Sequence, residues 1–355
     1  PIAATGFEVS TCIRMYMVRE GRHRCYVLYD VHVSLQARKM IAALKLTRFS
    51  IAIGAIANIW LVLLITKNNP AYVGTSVYNV PWWSALLATA VVALGICGYA
   101  ASLNDTIDAR HDTTFYPSKP IPSGWIPVSQ AVVLMVCSLL IALLAASFLG
   151  AWPVRMGLLT AAAILFYNIV GKHIPAVGLV SIGLIYASHM LIANIELTFT
   201  LPVWLVMTHA MVCSIAMYSL ENKRPKISYR GWMGIIAGWL FWSAVLFSGP
   251  LAQQGSLLPE GMHVTSLIWP FAAVVLFATT IRWKISHART PALAAEKVRR
   301  YGSLWECLYA TAWLLALHLY VPALFLFGFG VCSAVVVMIV KESTGATGQP
   351  ISWRA

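Results

Sequence analysis

Apolar residues run on almost without charge over residues 50–66, 83–102, 126–149, 152–169, 176–195, 201–219, 231–249, 264–282, 303–320 and 322–340, each about the length that crosses a hydrocarbon core. Ten helices are predicted, the last two parted only by Tyr320, Val321 and Pro322. Ahead of the first run the pattern is different. After "FEVSTCIRMYMVRE" and the glycine-containing break "GRHR", apolar residues alternate at Val27, Tyr29, Val31, Val33 and Leu35. That period of two predicts a small cytosolic β-hairpin at the N-terminus.

Composition strengthens the membrane reading: the chain is 59% hydrophobic, more than the core of a soluble domain of 355 residues calls for. Charge then sets a direction. With the N-terminus inside, 23 of the 25 Lys and Arg fall on the cytoplasmic side and only Lys67 and Arg155 lie outside. An even number of spans also brings the C-terminus to the cytoplasm. The net charge of +13 is then accounted for by anionic lipid headgroups, with no nucleic acid implied. The seven cysteines form no CxxC pair and read as small hydrophobes, and His23 near Cys25 lacks the further ligands a metal site needs. The N-terminus carries no apolar core of signal-peptide type. Nearly every titratable residue lies in the cytoplasmic loops, so chemistry is expected at that face.

The most unusual of these loops is "SLNDTIDARHDTTFYPSKPIPSG", residues 102–124. Asp105, Asp108 and Asp112 are spaced to share one face of a helix continuing from the second span, and Asn104 joins them four residues before Asp108. Like charges so close repel one another, and acids at a helix C-terminus oppose its dipole. A hard divalent cation resolves both conflicts: Mg²⁺ takes oxygen ligands and commonly bridges one or two carboxylates to substrate phosphates. Lys119 follows in a turn fixed by two prolines and a glycine, where its ammonium can meet a phosphate. Three of the chain's 12 acidic residues fall within eight positions here, which argues against a merely solvated helix end.

"NDTIDARHD" resembles the NDxxDxxxD signature of the UbiA-type membrane prenyltransferase superfamily, and "KPIPSG" resembles the [RK]P[IL]PSG stretch that follows it there. Looser likenesses are the basic "ALKLTRF" before the first helix, Asn58 within it, Tyr167 and Lys172 in "FYNIVGKHIPAVG", and a basic loop before the ninth helix. The resemblance covers about residues 40–320. It implies an all-α polytopic bundle around a central cavity capped by cytosolic loops, and Mg-dependent chemistry on an isoprenyl diphosphate. The expected division is a cytosolic extension over 1–36, a UbiA-like transmembrane domain over 37–320, and an extra helix with a short cytosolic tail over 321–355. The extra helix and the hairpin depart from the family's usual nine helices and are the expected contact surfaces for membrane-protein partners.

A second acidic motif closes the sixth helix in that family, where this chain reads "MYSLENKRPKISYRG". Aligned on Leu220 and Glu221, the two aspartates become Ser219 and Lys223, so only Glu221 stays acidic. Either Lys223 and Arg224 hold the diphosphate in place of a second metal, or the site has lost catalysis. The resemblance implies that Asn104, Asp105, Asp108 and Asp112 hold Mg²⁺. Asp105, Asp108, Lys119 and Lys223 would carry catalysis, and Asn58, Tyr167, Lys172, Glu221 and Arg224 would bind substrate. The expected function is transfer of a polyprenyl group to an aromatic or lipid-like acceptor. A non-catalytic subunit binding lipid or quinone, and phosphoribosyl transfer or terpene cyclisation on the same scaffold, stay open. His111, His173 and His189 read as hydrogen-bonding histidines rather than catalytic ones.

Overall fold

The structure is a computed structural model that describes residues 13–20, 23–30, 49–117 and 119–346, with side chains described for 51–117 and 119–339. The backbone of Ile13–Glu20 pairs antiparallel with His23–Asp30. The side chains of the expected hairpin, the basic "ALKLTRF" up to residue 48 and the C-terminal tail lie outside the described residues.

The described chain forms twelve α-helices. They are α1 (Phe49–Asn68), α2 (Ser76–Asn79), α3 (Trp82–Ile107), α4 (Ala109–Phe115), α5 (Val128–Leu149), α6 (Ala151–Ile169), α7 (Pro175–Leu191), α8 (Leu201–Leu220), α9 (Tyr229–Gln254), α10 (Ile268–Ser286), α11 (Pro291–Ala316) and α12 (Tyr320–Ala346). Setting aside the short α2 and α4, one long helix answers each predicted run. Eight of these are long and apolar enough to cross a membrane by length and composition, which makes the protein an integral multi-pass one. The two others are α7, with 17 residues, and α11, whose first half is charged.

Two boundaries differ from expectation. The basic stretch before the ninth run is not a loop: Thr290 caps α11 by accepting from the Leu293 N–H, Pro291 follows at the first helical position, and residues 297–300 are already helical. The break between the last two helices falls at 317–319, with His318 at φ 59°, not at 320–322. Pro322 instead sits in the first turn of α12, where its missing N–H has no intrahelical partner to lose.

Helix α1 is the centre of the bundle, packed against α3, α7, α11 and α12. Most of α1 is buried, whereas most of α5, α9, α10 and α12 faces outward, as lipid-facing helices do. Glycine lets neighbouring helices approach closely. A Cβ at Gly95 of α3 would come within 2.6 Å of the Ser138 carbonyl of α5, and one at Gly54 of α1 within 2.5 Å of the Ser303 carbonyl of α11. Helix α12 closes one flank, with Phe325 and Phe329 against Trp60 at centroid distances of 5.3 and 4.8 Å. Buried hydroxyls of Thr66, Thr89 and Thr160 donate to the carbonyl four residues back, which satisfies them where no water is available.

Candidate functional site

The aspartate segment is not one unbroken helix. α3 ends at Ile107, Asp108 links it to α4 with φ −86° and ψ 3°, and the bonds Asp108 N–H to Asn104 O (3.0 Å) and Asp112 N–H to Asp108 O (2.8 Å) carry the turn across. Asp105 and Asp112 therefore still point the same way. The Lys119 ammonium donates to both, at 3.3 Å to Asp105 Oδ1 and 2.8 Å to Asp112 Oδ2, with both carboxylates almost fully buried. Asp108 faces a different cation, the Lys172 ammonium at 2.5 Å. Asn104 donates to Asp105 Oδ1 at 3.1 Å.

Local chain geometry places both lysines. The turn after α4 is tied by Ser123 N–H to Lys119 O and Ile126 N–H to Pro120 O, and it needs Gly124 at φ 75°. Lys172 lies in a single 3₁₀ turn, Gly171–His173, held so tightly on the start of α7 that a Cβ at Gly178 would meet the Gly171 carbonyl at 2.6 Å.

Glu221 caps α8 at the same end of the bundle and accepts from Lys223 at 3.2 Å and from Arg299 at 2.9 Å. Burial alone would raise its pKa, but the two cations outweigh that and hold the carboxyl below the usual glutamate range. Arg224 does not join this group: it is exposed, as is Ser219, and Arg299 is the second cation on Glu221. The reason is the early start of α11, which carries Arg299 to the rim as a helical residue.

Beneath these charges is a cavity of about 300 Å³ between α1, α3, α6, α7, α8 and α11. Asn104, Tyr167, Lys223 and Arg299 belong to its wall, while Asp105, Asp108 and Asp112 do not. Lys119 and Lys172 also stay outside it, engaged by those aspartates. Deeper in, Glu306 of α11 is in the wall and 2% exposed, accepting at 2.7 Å from Asn58 of α1, which is itself 1% exposed. His209 shares that depth, within hydrogen-bond reach of the Gly302 carbonyl (3.1 Å) and the Tyr309 hydroxyl (3.2 Å). His189 is buried but outside the cavity wall, and His111 stacks on Phe115.

Arg299 and Glu306 were not anticipated as site residues. The signal was present: Arg299, Gly302, Ser303 and Glu306 recur at three, four and seven, one face of a helix, and all four are in the cavity wall.

The acids are suited to a hard cation. Among the described residues no three His, Cys, Asp or Glu are gathered as a ready metal cage. Two carboxylates nevertheless converge on one positive centre, the Lys119 ammonium, and one or two carboxylates are what Mg²⁺ takes when phosphate supplies the remainder.

These features define a multi-pass helical membrane protein with a charged rim over an apolar central cavity. Residues 69–218, which include the aspartate segment and its basic turn, match the model of the UbiA prenyltransferase family. The bundle is also similar to a solved structure described as "Structural and mechanistic insights into the biosynthesis of Digeranylgeranylglyceryl phosphate synthase in membranes". The TM-score is 0.53 at 17% identity, over 79% of this chain and 98% of that one, a likeness of fold. No curated protein matches the chain.

Proposed function

We propose that the protein transfers a polyprenyl group from an isoprenyl diphosphate, bound at the cytoplasmic rim, to an acceptor held in the membrane cavity, with Mg²⁺ as cofactor. The observation that carries this reading is the arrangement of charge over grease. Carboxylates and cations crowd one end of the bundle, directly over a cavity whose wall is mainly apolar. A diphosphate with an isoprenoid tail has that same division.

In this reading Asn104, Asp105, Asp108 and Asp112 hold the metal, which would neutralise diphosphate oxygens as the leaving group gathers charge. Lys119 and Lys172, now engaged by the aspartates, turn to the diphosphate as the metal takes over those carboxylates. Lys223 and Arg299, already in the cavity wall, meet the remaining oxygens and replace the second acidic motif. Tyr167 shelters the reacting end of the chain. Both termini lie in the cytoplasm, and α12 and the N-terminal hairpin are the surfaces open to membrane-protein partners.

One observation favours a second reading, a non-catalytic subunit that binds lipid or quinone: every acid of the rim already has a protein cation beside it. Calorimetry of geranylgeranyl diphosphate binding to the purified protein separates the two. The transferase reading expects tight binding that requires Mg²⁺. No binding in either condition rejects it in favour of the subunit.

A further inference from the structure

Glu306 is a carboxyl inside the bundle that the rim chemistry does not use. It lies seven residues beyond Arg299 on the same face of α11, about 10 Å deeper into the membrane by helical rise. The fold makes room for it: at Gly54 a Cβ would come within 2.4 Å of Glu306 Oε2, so only glycine allows the carboxyl to sit between α1 and α11. Among the described residues no cation pairs with it, and Asn58 Nδ2 is the one hydrogen-bond donor to it. An acid at membrane depth without a countercharge is costly and marks function more often than packing.

A second group in the same wall has spare capacity of the same kind. Asn168 of α6 is 2% exposed and donates to the Ile164 carbonyl, while its own Oδ1 has no partner. Asn168 Oδ1 has no partner and Glu306 receives only the Asn58 amide, so the acceptor capacity left in one apolar cavity selects a ligand that donates. We propose that the inner cavity is the acceptor subsite and that it selects hydroxyl-bearing acceptors, with Glu306 receiving the hydroxyl's hydrogen bond and Asn168 Oδ1 a second donor where the ligand has one.

The assignment of that ligand as an acceptor rests on the transferase reading; its recognition does not. In the transfer, the bond from the allylic carbon to the diphosphate oxygen breaks and its electron pair leaves with the diphosphate. The acceptor's hydroxyl oxygen bonds to that carbon, and its proton passes to the Glu306 carboxylate.

A matched pair of probes tests the recognition directly: 1-naphthol, which donates a hydrogen bond, and 1-methoxynaphthalene, which cannot. Each is titrated into the purified full-length protein and followed by its fluorescence. The native protein is expected to prefer 1-naphthol by about tenfold or more, and Glu306→Met to reduce that preference to about threefold or less. Equal affinities, no binding of either probe, or a preference that survives in Glu306→Met overturns the proposal. Farnesyl diphosphate binding with Mg²⁺ is measured on the same samples. If it holds while the naphthol preference is absent, only the acceptor subsite fails; if it is absent while the preference holds, only the transferase reading fails. Should Glu306→Met not fold, dicyclohexylcarbodiimide, which modifies carboxyls in apolar surroundings, replaces it. Labelling of Glu306 in the native protein that 1-naphthol slows and the methyl ether does not supports the subsite, and labelling that is absent or indifferent to 1-naphthol rejects it.

Discussion

Two groups of charges share one end of the bundle and differ in sign. In the first, Lys119 and Lys172 stand beside Asp105, Asp108 and Asp112, two ammonium groups to three carboxylates, with the exposed His111 at 3.7 Å from Asp112. In the second, Glu221 faces both Lys223 and Arg299, which leaves one positive charge in excess. The first group sits behind the cavity wall and the second contributes to it. An acidic group can accept a metal and pass it to a phosphate; a basic one can only meet the phosphate itself. On the proposed reading, the site would use a metal on one side and protein cations on the other.

The largest effect expected from breaking this contrast is on the acidic side. Asp105→Ala leaves Lys119 with one carboxylate in a buried setting, and Mg-dependent binding of geranylgeranyl diphosphate should weaken by about 100-fold, the few kcal/mol that truncating a buried charged partner costs. Asp108→Ala should do the same through Lys172, and normal binding in both variants rules out the metal assignment. On the basic side the loss should be smaller and graded by burial. Arg299 is 19% exposed and Lys223 50%, so Arg299→Ala should cost roughly tenfold and Lys223→Ala roughly threefold in the same calorimetric titration. The reverse order would place the diphosphate over Lys223 and away from α11.

How much of this was readable beforehand follows the same division. The acidic side was legible because its chemistry is local: three aspartates, an asparagine and a lysine within sixteen residues, Asn104 to Lys119, carry their own geometry in helical spacing and a proline-glycine turn. The ten long helices were legible because apolar length alone announces them. The basic side was not, because Glu221 and Arg299 are 78 residues apart and meet only through the packing of α8 against α11. A charged helix start without an apolar run also reads as loop, which hid Thr290 and Pro291 as the beginning of α11 and with them Arg299 as a cation beside Glu221. Glu306 was hidden differently: a single acid in a membrane run shows its helix but not its partner, and Asn58 lies 248 residues away.

Glu221 sharpens the comparison further, since the two meanings available to it predict opposite signs. If it is the countercharge of the basic group, Glu221→Gln frees Lys223 and Arg299 for the diphosphate, and binding should tighten by about threefold, the scale of a partly exposed ion pair. If it is the surviving ligand of a second metal, the same substitution should weaken Mg-dependent binding instead. The direction of change in a single titration decides between them.

The smallest effect expected is on stability, and it depends on pH. The Glu221 carboxyl has a folded pKa below its ordinary value of 4.5, because Lys223 and Arg299 favour its charged form more than burial opposes it. A carboxyl that gives up its proton more readily folded than unfolded contributes stability that is complete above about pH 4.5 and drains away as pH falls through the lower, folded value. Partial exposure keeps the contribution within about 1 kcal/mol. The thermal midpoint of the native protein should therefore exceed that of Glu221→Gln by a constant margin from pH 7 down to about pH 4.5, and the margin should close below it. A margin that stays constant into acid means the carboxyl is not held by its cations, and the positive excess assigned to this side of the rim would then have to come from elsewhere.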